Sequence, residues 1–236
     1  MNPGSQFPST QWTRLERESL TEEGREWFCE SYRPAVLAYL RMKYEHHEAE
    51  DLCQEFFARV VLDGNLVGKA NRSRGSLRGL LHTALDRFLS NHRRSRGAEK
   101  RGGLAYHQSL DGDVSGGAGH PLEDRSAVAP DQAFDRAWAA GLLERALSST
   151  EADCLRKNKQ VLFAALRPIL DGSGPSRSHA DIAKEIGVQT RDVTVALCRL
   201  RQRVAKHLYE EVARTIAGAD SVSDEWETVK QALQDS

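Results

Sequence analysis

A chain of 236 residues, 39% hydrophobic and 28% charged, is long enough for one large globular domain or two small ones. No apolar run approaches the ~20 residues of a membrane span, so membrane insertion is not expected. The formal net charge is −1, which by itself argues against a uniformly basic nucleic-acid binder.

Read in chain order, the charge falls into blocks. Residues 1–66 hold 7 Lys/Arg against 12 Asp/Glu. The opening MNPGSQFPSTQW has no basic segment followed by an apolar one, so no secretory signal is expected. From about residue 25 the pattern turns helical. WFCESYRPAVLAYLRMKY sets Phe28, Tyr32, Val36 and Tyr39 or Leu40 on one face, with Pro34 marking an early turn or kink. EAEDLCQEFFARVVL sets Leu52, Cys53, Phe56, Phe57, Val60 and Val61 on another. Burying that face leaves Glu48, Asp51, Gln54, Glu55 and Arg59 in an exposed row, either a solvated surface or a docking face for a basic partner.

Residues 67–102 are basic, 10 Lys/Arg against 2 Asp/Glu. The glycine- and asparagine-containing DGNLVGKANRSRGS reads as a loop. A third helix follows, with Leu77, Leu80, Leu81, Ala84, Leu85, Phe88 and Leu89 in helical rhythm, and runs into NHRRSRGAEKRGG. Residues 103–154 are acidic, 3 against 9, and open with a Gly-, Ser-, Asp- and Pro-rich stretch that reads as a linker to about residue 130. Helices resume with QAFDRAWAAGLLERAL, still in the acidic block, and QVLFAALRPIL, which opens a second basic block of 12 against 6 over residues 155–214. The tail, 1 against 5, ends in SVSDEWETVKQAL, where Trp226, Val229 and Leu233 form a small apolar stripe. Two separated basic blocks suggest two contacts with a polyanion, because phosphate binding follows local clusters and the counterions they displace.

Within the second basic block, DIAKEIGVQTRDVTVALCRLRQ has the pattern of a helix-turn-helix. Ile182, Ile186, Val188, Val193 and Leu197 are expected to supply the contacts between the helices, with Ala183 at their close approach. Gly187 is expected at the turn and Thr190 as the cap of the second helix. Such a pair either reads DNA or serves as a hairpin for protein contact. In the first case Gln189, Thr190, Arg191, Thr194, Val195, Cys198 and Arg199 line the face toward the major groove, and Arg201, Arg203 and Lys206 lie nearer phosphates. Only Arg199 offers a fork to guanine, so this face alone predicts modest specificity. The four cysteines, Cys29, Cys53, Cys154 and Cys198, lack a CxxC pair, which points to reduced thiols in a cytoplasm and away from a disulfide frame or zinc site. The cluster HHEAED offers His46, His47, Glu48, Glu50 and Asp51 as metal or acid–base groups. Adjacent histidines on a helix diverge by about 100°, however, and no HExxH, phosphate loop or GxSxG is present. An enzyme and a resident metal or cofactor are therefore not expected. The sequence predicts an all-α chain of two small helical domains joined by a flexible acidic linker. The divisions fall at 1–24, 25–102, 103–130, 131–214 and 215–236.

Three motifs in order, EAEDLCQEFFARV, RGSLRGLLHTALDRFLSNHRRSR and the helix-turn-helix, together resemble the extracytoplasmic-function sigma factors of bacterial RNA polymerase. FPSTQW and the tail after EEVARTI resemble a subgroup with a short C-terminal extension, so the resemblance runs from about residue 7 to 233. It implies a protein without catalysis of its own that directs the polymerase core to promoters, through the coiled coil of the largest subunit and the flap region. Asp51, Gln54 and Glu55 match coiled-coil contacts, with Glu48 and Arg59 beside them. The loop 64–76 matches the one that captures a flipped −10 base, with Asn71, Arg72 and Arg74 as polar candidates. Arg78, His82, Arg87, Asn91, Arg93 and Arg94 would face the −10 DNA, and the helix-turn-helix the −35 element. Four positions depart from the family pattern: Leu80 replaces an aromatic, Asp86-Arg87 replaces Arg-Asn, and Thr194 replaces a basic residue. Strand separation then falls to His82 or Phe88. The linker, with Asp111, Asp113, Glu123 and Asp124, either mimics RNA charge or is a solvated tether. The tail helix is a candidate to fold over the second domain and restrain DNA binding, and an anti-sigma protein to clamp both domains. The competing reading is a helix-turn-helix regulator that works without polymerase.

Overall fold

The computed structural model describes residues 22–63, 66, 76–99, 129–175, 177–216 and 222–234. The N-terminal segment, Asn71, Arg72, Arg74 and the linker from 103 to 128 lie outside the described residues. Among those described the fold is all-helical. In chain order the helices are α1 (Glu22–Arg41), α2 (His46–Phe56), α3 (Leu77–Glu99), α4 (Pro130–Arg156), α5 (Gln160–Leu170), α6 (His179–Ile186), α7 (Thr190–Arg214) and α8 (Val222–Gln234). No strand forms among the described residues; one antiparallel bridge joins Ser76 to Ile216. No helix among them is long and apolar enough to cross a membrane.

Pro34 does not interrupt α1. Its ring removes one backbone donor, but Phe28, Tyr32, Val36, Tyr39 and Leu40 are all buried on the face that continues past it, so packing holds the helix together. At its far end α2 widens into a seven-residue π-helix, Phe57–Asp63. The slower turn keeps both Phe57 and Val61 in the core. Arg33 and Arg41 of α1 both pair with Glu50 of α2, at 2.8 and 2.9 Å, and fix the two helices together on their outer side.

The expected division into two separate domains is not how the core is built. One large hydrophobic cluster takes residues 28–61 and 77–89 from the first half of the chain. It also takes Phe134, Trp138, Ala139, Leu142, Ala146 and Leu147 from α4, Val204, Leu208 and Val212 from α7, and Val229 and Ala232 from α8. On α4 the buried residues Phe134, Trp138, Leu142 and Ala146 recur every four positions, a continuous stripe that must find an apolar partner. Periodicity shows that such a stripe is buried and says nothing about what covers it; here it is the first half of the chain. A smaller cluster, Cys154, Phe163, Leu166, Ile182, Ala183, Val193, Leu197 and Leu200, closes the other end of α4 with α5, α6 and the start of α7. The 25 residues of α7, roughly 37 Å at 1.5 Å per residue, run through both clusters. Buried Glu211 of α7 accepts from Arg145 of α4 at 2.9 Å and pairs with Arg214.

Candidate nucleic-acid interface

Two helices and a three-residue turn form one exposed candidate surface. Ser178 caps α6, its Oγ accepting from the Asp181 amide at 3.1 Å and donating to the Asp181 carboxylate at 2.6 Å. The helix stops at Gly187, whose φ of 71° and ψ of 34° are left-handed. The Val188 amide reaches back to the Ala183 carbonyl at 2.9 Å, which closes a Schellman turn. Ile182, Ala183, Val193 and Leu197 are buried between the helices as the pattern requires. Two expectations fail. Val188 is 41% exposed instead of packed, because the left-handed turn points the chain away from the core. Gln189, not Thr190, occupies the N-cap of α7, and it makes no side-chain cap. Thr190 is the first helical residue, and its carbonyl accepts from Thr194 Oγ1 at 3.2 Å.

Gln189, Thr190, Arg191, Thr194, Val195, Cys198, Arg199 and Arg201 are all exposed along α7. His179 Nδ1 lies 3.0 Å from Thr194 Oγ1 and ties the start of α6 to the middle of this face. Arg203 does not belong to it. It is half-buried and turned toward α4, with Nε 3.8 Å from Asp153 and Nη1 donating to Cys154 Sγ at 3.9 Å. His207, at 3.2 Å, and Arg156 complete the ring around Asp153. The hydrogen bond from His207 and the neighbouring cations hold the Asp153 carboxyl below the usual carboxylate range, against the opposing effect of its burial.

Helix α3 divides into two parts. Arg87, Asn91, Arg93 and Arg94 are exposed, a basic row on its C-terminal half. Its N-terminal half is covered, contrary to the expectation for Arg78 and His82. Glu225 of α8 meets the Arg78 guanidinium with both carboxylate oxygens, at 3.0 and 3.2 Å. Asp135 of α4 does the same at 3.1 and 3.3 Å, and the guanidinium carbon stands 5.7 Å from the Trp138 ring centre. Burial alone would lower the arginine pKa, yet the hydrogen bonds and charges of Glu225 and Asp135 raise it above its ordinary value. His82 packs on Phe134 with ring centres 4.1 Å apart, and its nitrogens lie 3.6 Å from Asp131 and Asp135. Phe88 is held between Phe56 and His92. Both aromatic candidates for strand separation are thus packed. Asp86 has a structural task where the family pattern is basic: it accepts from the Tyr39 hydroxyl at 2.7 Å. Burial and that bond push the tyrosine pKa well above its usual value.

On α2, Asp51 and Gln54 are exposed as expected. Glu48 pairs with Arg96 of α3, and Glu55 with Arg59 at 2.6 Å. Sequence reasoning did not find Glu225 and Asp135 as partners of Arg78. They lie 147 and 57 residues away from it, and no local pattern links them.

Comparison with protein-family models, with curated proteins and with solved structures gave no match.

Proposed function

We propose that the chain is a sigma factor of the extracytoplasmic-function type, a cytoplasmic, non-catalytic subunit that brings the RNA polymerase core to promoters. The observation that carries the reading is the pair of helices α6 and α7 joined by the Gly187 turn, which we read as a helix-turn-helix. It leaves Gln189, Thr190, Arg191, Thr194, Val195, Cys198 and Arg199 open on one helix face, in the geometry that enters a major groove. Beside it stand the exposed basic row of Arg87, Asn91, Arg93 and Arg94, suited to promoter DNA near −10, and the exposed Asp51 and Gln54, suited to a basic polymerase surface. The test is abortive transcription by purified bacterial core polymerase on fragmented host DNA, with and without the protein. Transcripts that depend on the protein and share upstream motifs are expected. DNA binding with no effect on core polymerase would refute the proposal.

A second reading has its own observation. Both halves of the chain share one core that covers Arg78 and His82, as suits a regulator that binds DNA as a single body through α7. Such a protein would read its site without polymerase, and Asp51 and Gln54 would be a solvated face.

A further inference from the structure

Arg78 is a half-buried cation engaged on every side of its guanidinium. Its Nε and Nη2 donate to Glu225 and its Nη1 to Asp135, so each of its three nitrogens already faces a carboxylate. The geometry is that of a guanidinium on two oxyanions, which is how an arginine holds a phosphate backbone. The acids exceed what the site needs for neutrality. Glu225, Asp135 and Asp131 surround one arginine and one histidine, so the pocket is poised as a substitute for a polyanion, more acidic than a balanced ion pair. The Ser76–Ile216 bridge, with the Leu77 amide donating to the Thr215 carbonyl at 3.1 Å, brings the start of α3 against the C-terminal end of α7.

The two elements that cover α3 are anchored unequally. Helix α4 is sunk into the core by Phe134, Trp138, Leu142 and Leu147. Helix α8 fully buries only Val229 and Ala232 among its apolar residues, while Val222, Trp226 and Leu233 are partly buried against the same core, Trp226 also meeting the half-exposed Tyr209 edge-on at 5.6 Å. An element with fewer fully buried apolar residues than α4 opens at lower cost than the core it lies on. We propose that α8 is a detachable strap whose Glu225 occupies Arg78 in place of DNA phosphate, so that release of α8 switches on the DNA-facing side of α3. The inference rests on the reading of α3 as a DNA contact. It also moves the restraint expected of the tail from the second half of the chain to Arg78 in the first.

The test uses the full-length chain, its Glu225→Gln variant and a chain lacking residues 219–236. Each is titrated against a labelled mixed-sequence duplex with an unpaired bubble, over a series of salt concentrations. Circular dichroism first establishes that each is folded. Both variants should bind about tenfold more tightly than the intact chain, a coupling of ordinary size between two sites. The slope of log affinity against log salt should steepen by about one, because one more cation reaches a phosphate. Adding Arg78→Ala to Glu225→Gln should return both quantities to those of the intact chain. A merely structural ion pair would leave the salt slope where it was. Equal or weaker binding by folded variants, with an unchanged slope, overturns the strap while leaving the DNA reading intact. Failure of every form to bind DNA overturns the DNA reading itself, and the strap with it.

Discussion

Phe134→Ala tests whether the two halves of the chain form one cooperative body. Phe134 is fully buried near the start of α4, tilted against His82 of α3, and belongs to the cluster that also holds the buried residues of α1 and α2. A buried phenylalanine removes on the order of 150–250 Å² from water, and Phe→Ala changes in cores cost about 3–5 kcal/mol. That is a large share of the roughly 5–15 kcal/mol by which a protein is stable. With a urea dependence of about 2.5 kcal/mol per molar, the unfolding midpoint should fall by roughly 1.5 M. The assay is urea unfolding followed by circular dichroism, paired with amide hydrogen exchange of peptides from α1 and α3. One transition is expected, at lower urea, with protection lost in α1 although the substitution lies in the other half of the chain. Two separate transitions, with α1 still protected to its original extent, would refute the shared core.

Cys198 is exposed on α7 and should react with a maleimide in the folded protein. Cys53 should not react until unfolding, since burial, ahead of the charges around it, raises its pKa to about 11; mass spectrometry after timed labelling reads both. The adduct on Cys198 should abolish duplex binding without unfolding the chain, and full affinity after labelling would remove this face from the interface. Gly187→Ala meets open space but must hold a φ of 71°, so it should cost about 1 kcal/mol, read as a lower melting temperature. Asp153→Asn should lower stability by no more than ~1 kcal/mol. Because the folded-state pKa of Asp153 is depressed, its stabilisation is complete above the unfolded value of about 3.9 and is lost as pH falls through the folded one. Melting temperatures of variant and parent should therefore differ at pH 7 and draw together as pH falls below about 4; a gap that stays constant throughout acid titration would exclude the carboxylate as its source.

How much was legible in advance depended on the range of each interaction. The faces of α2 and α3 followed from spacing, because Leu52, Cys53, Phe56, Leu77, Leu81 and Leu85 repeat within a few turns and helical geometry fixes their common side. The turn at Gly187 was legible for the same reason, since a left-handed residue is cheap only for glycine. Partner choice was not legible. The Phe134–Trp138–Leu142 stripe looks the same whether it packs on a neighbouring short helix or on α1, and its assignment to a separate domain failed on that ambiguity. The cap of α7 was missed by one residue, within the usual play at a helix end.

The charge pattern carries the same lesson further. Blocks of opposite sign along a chain are compatible with surfaces that each meet a different partner, or with surfaces that meet each other. Both occur here. The basic block ending at residue 102 leaves Arg87, Arg93 and Arg94 exposed on α3, while its Arg78 is met by Asp135 from the acidic block that follows and by Glu225 from the acidic tail. A net charge near zero is then partly an internal matter, with carboxylates of the chain paired to its own cations. Removing one of them leaves a partly buried guanidinium with a partner fewer, and an anion from solution is a ready replacement. That is why the electrostatics of α3 can depend on whether α8 is docked, although both helices keep the same residues throughout.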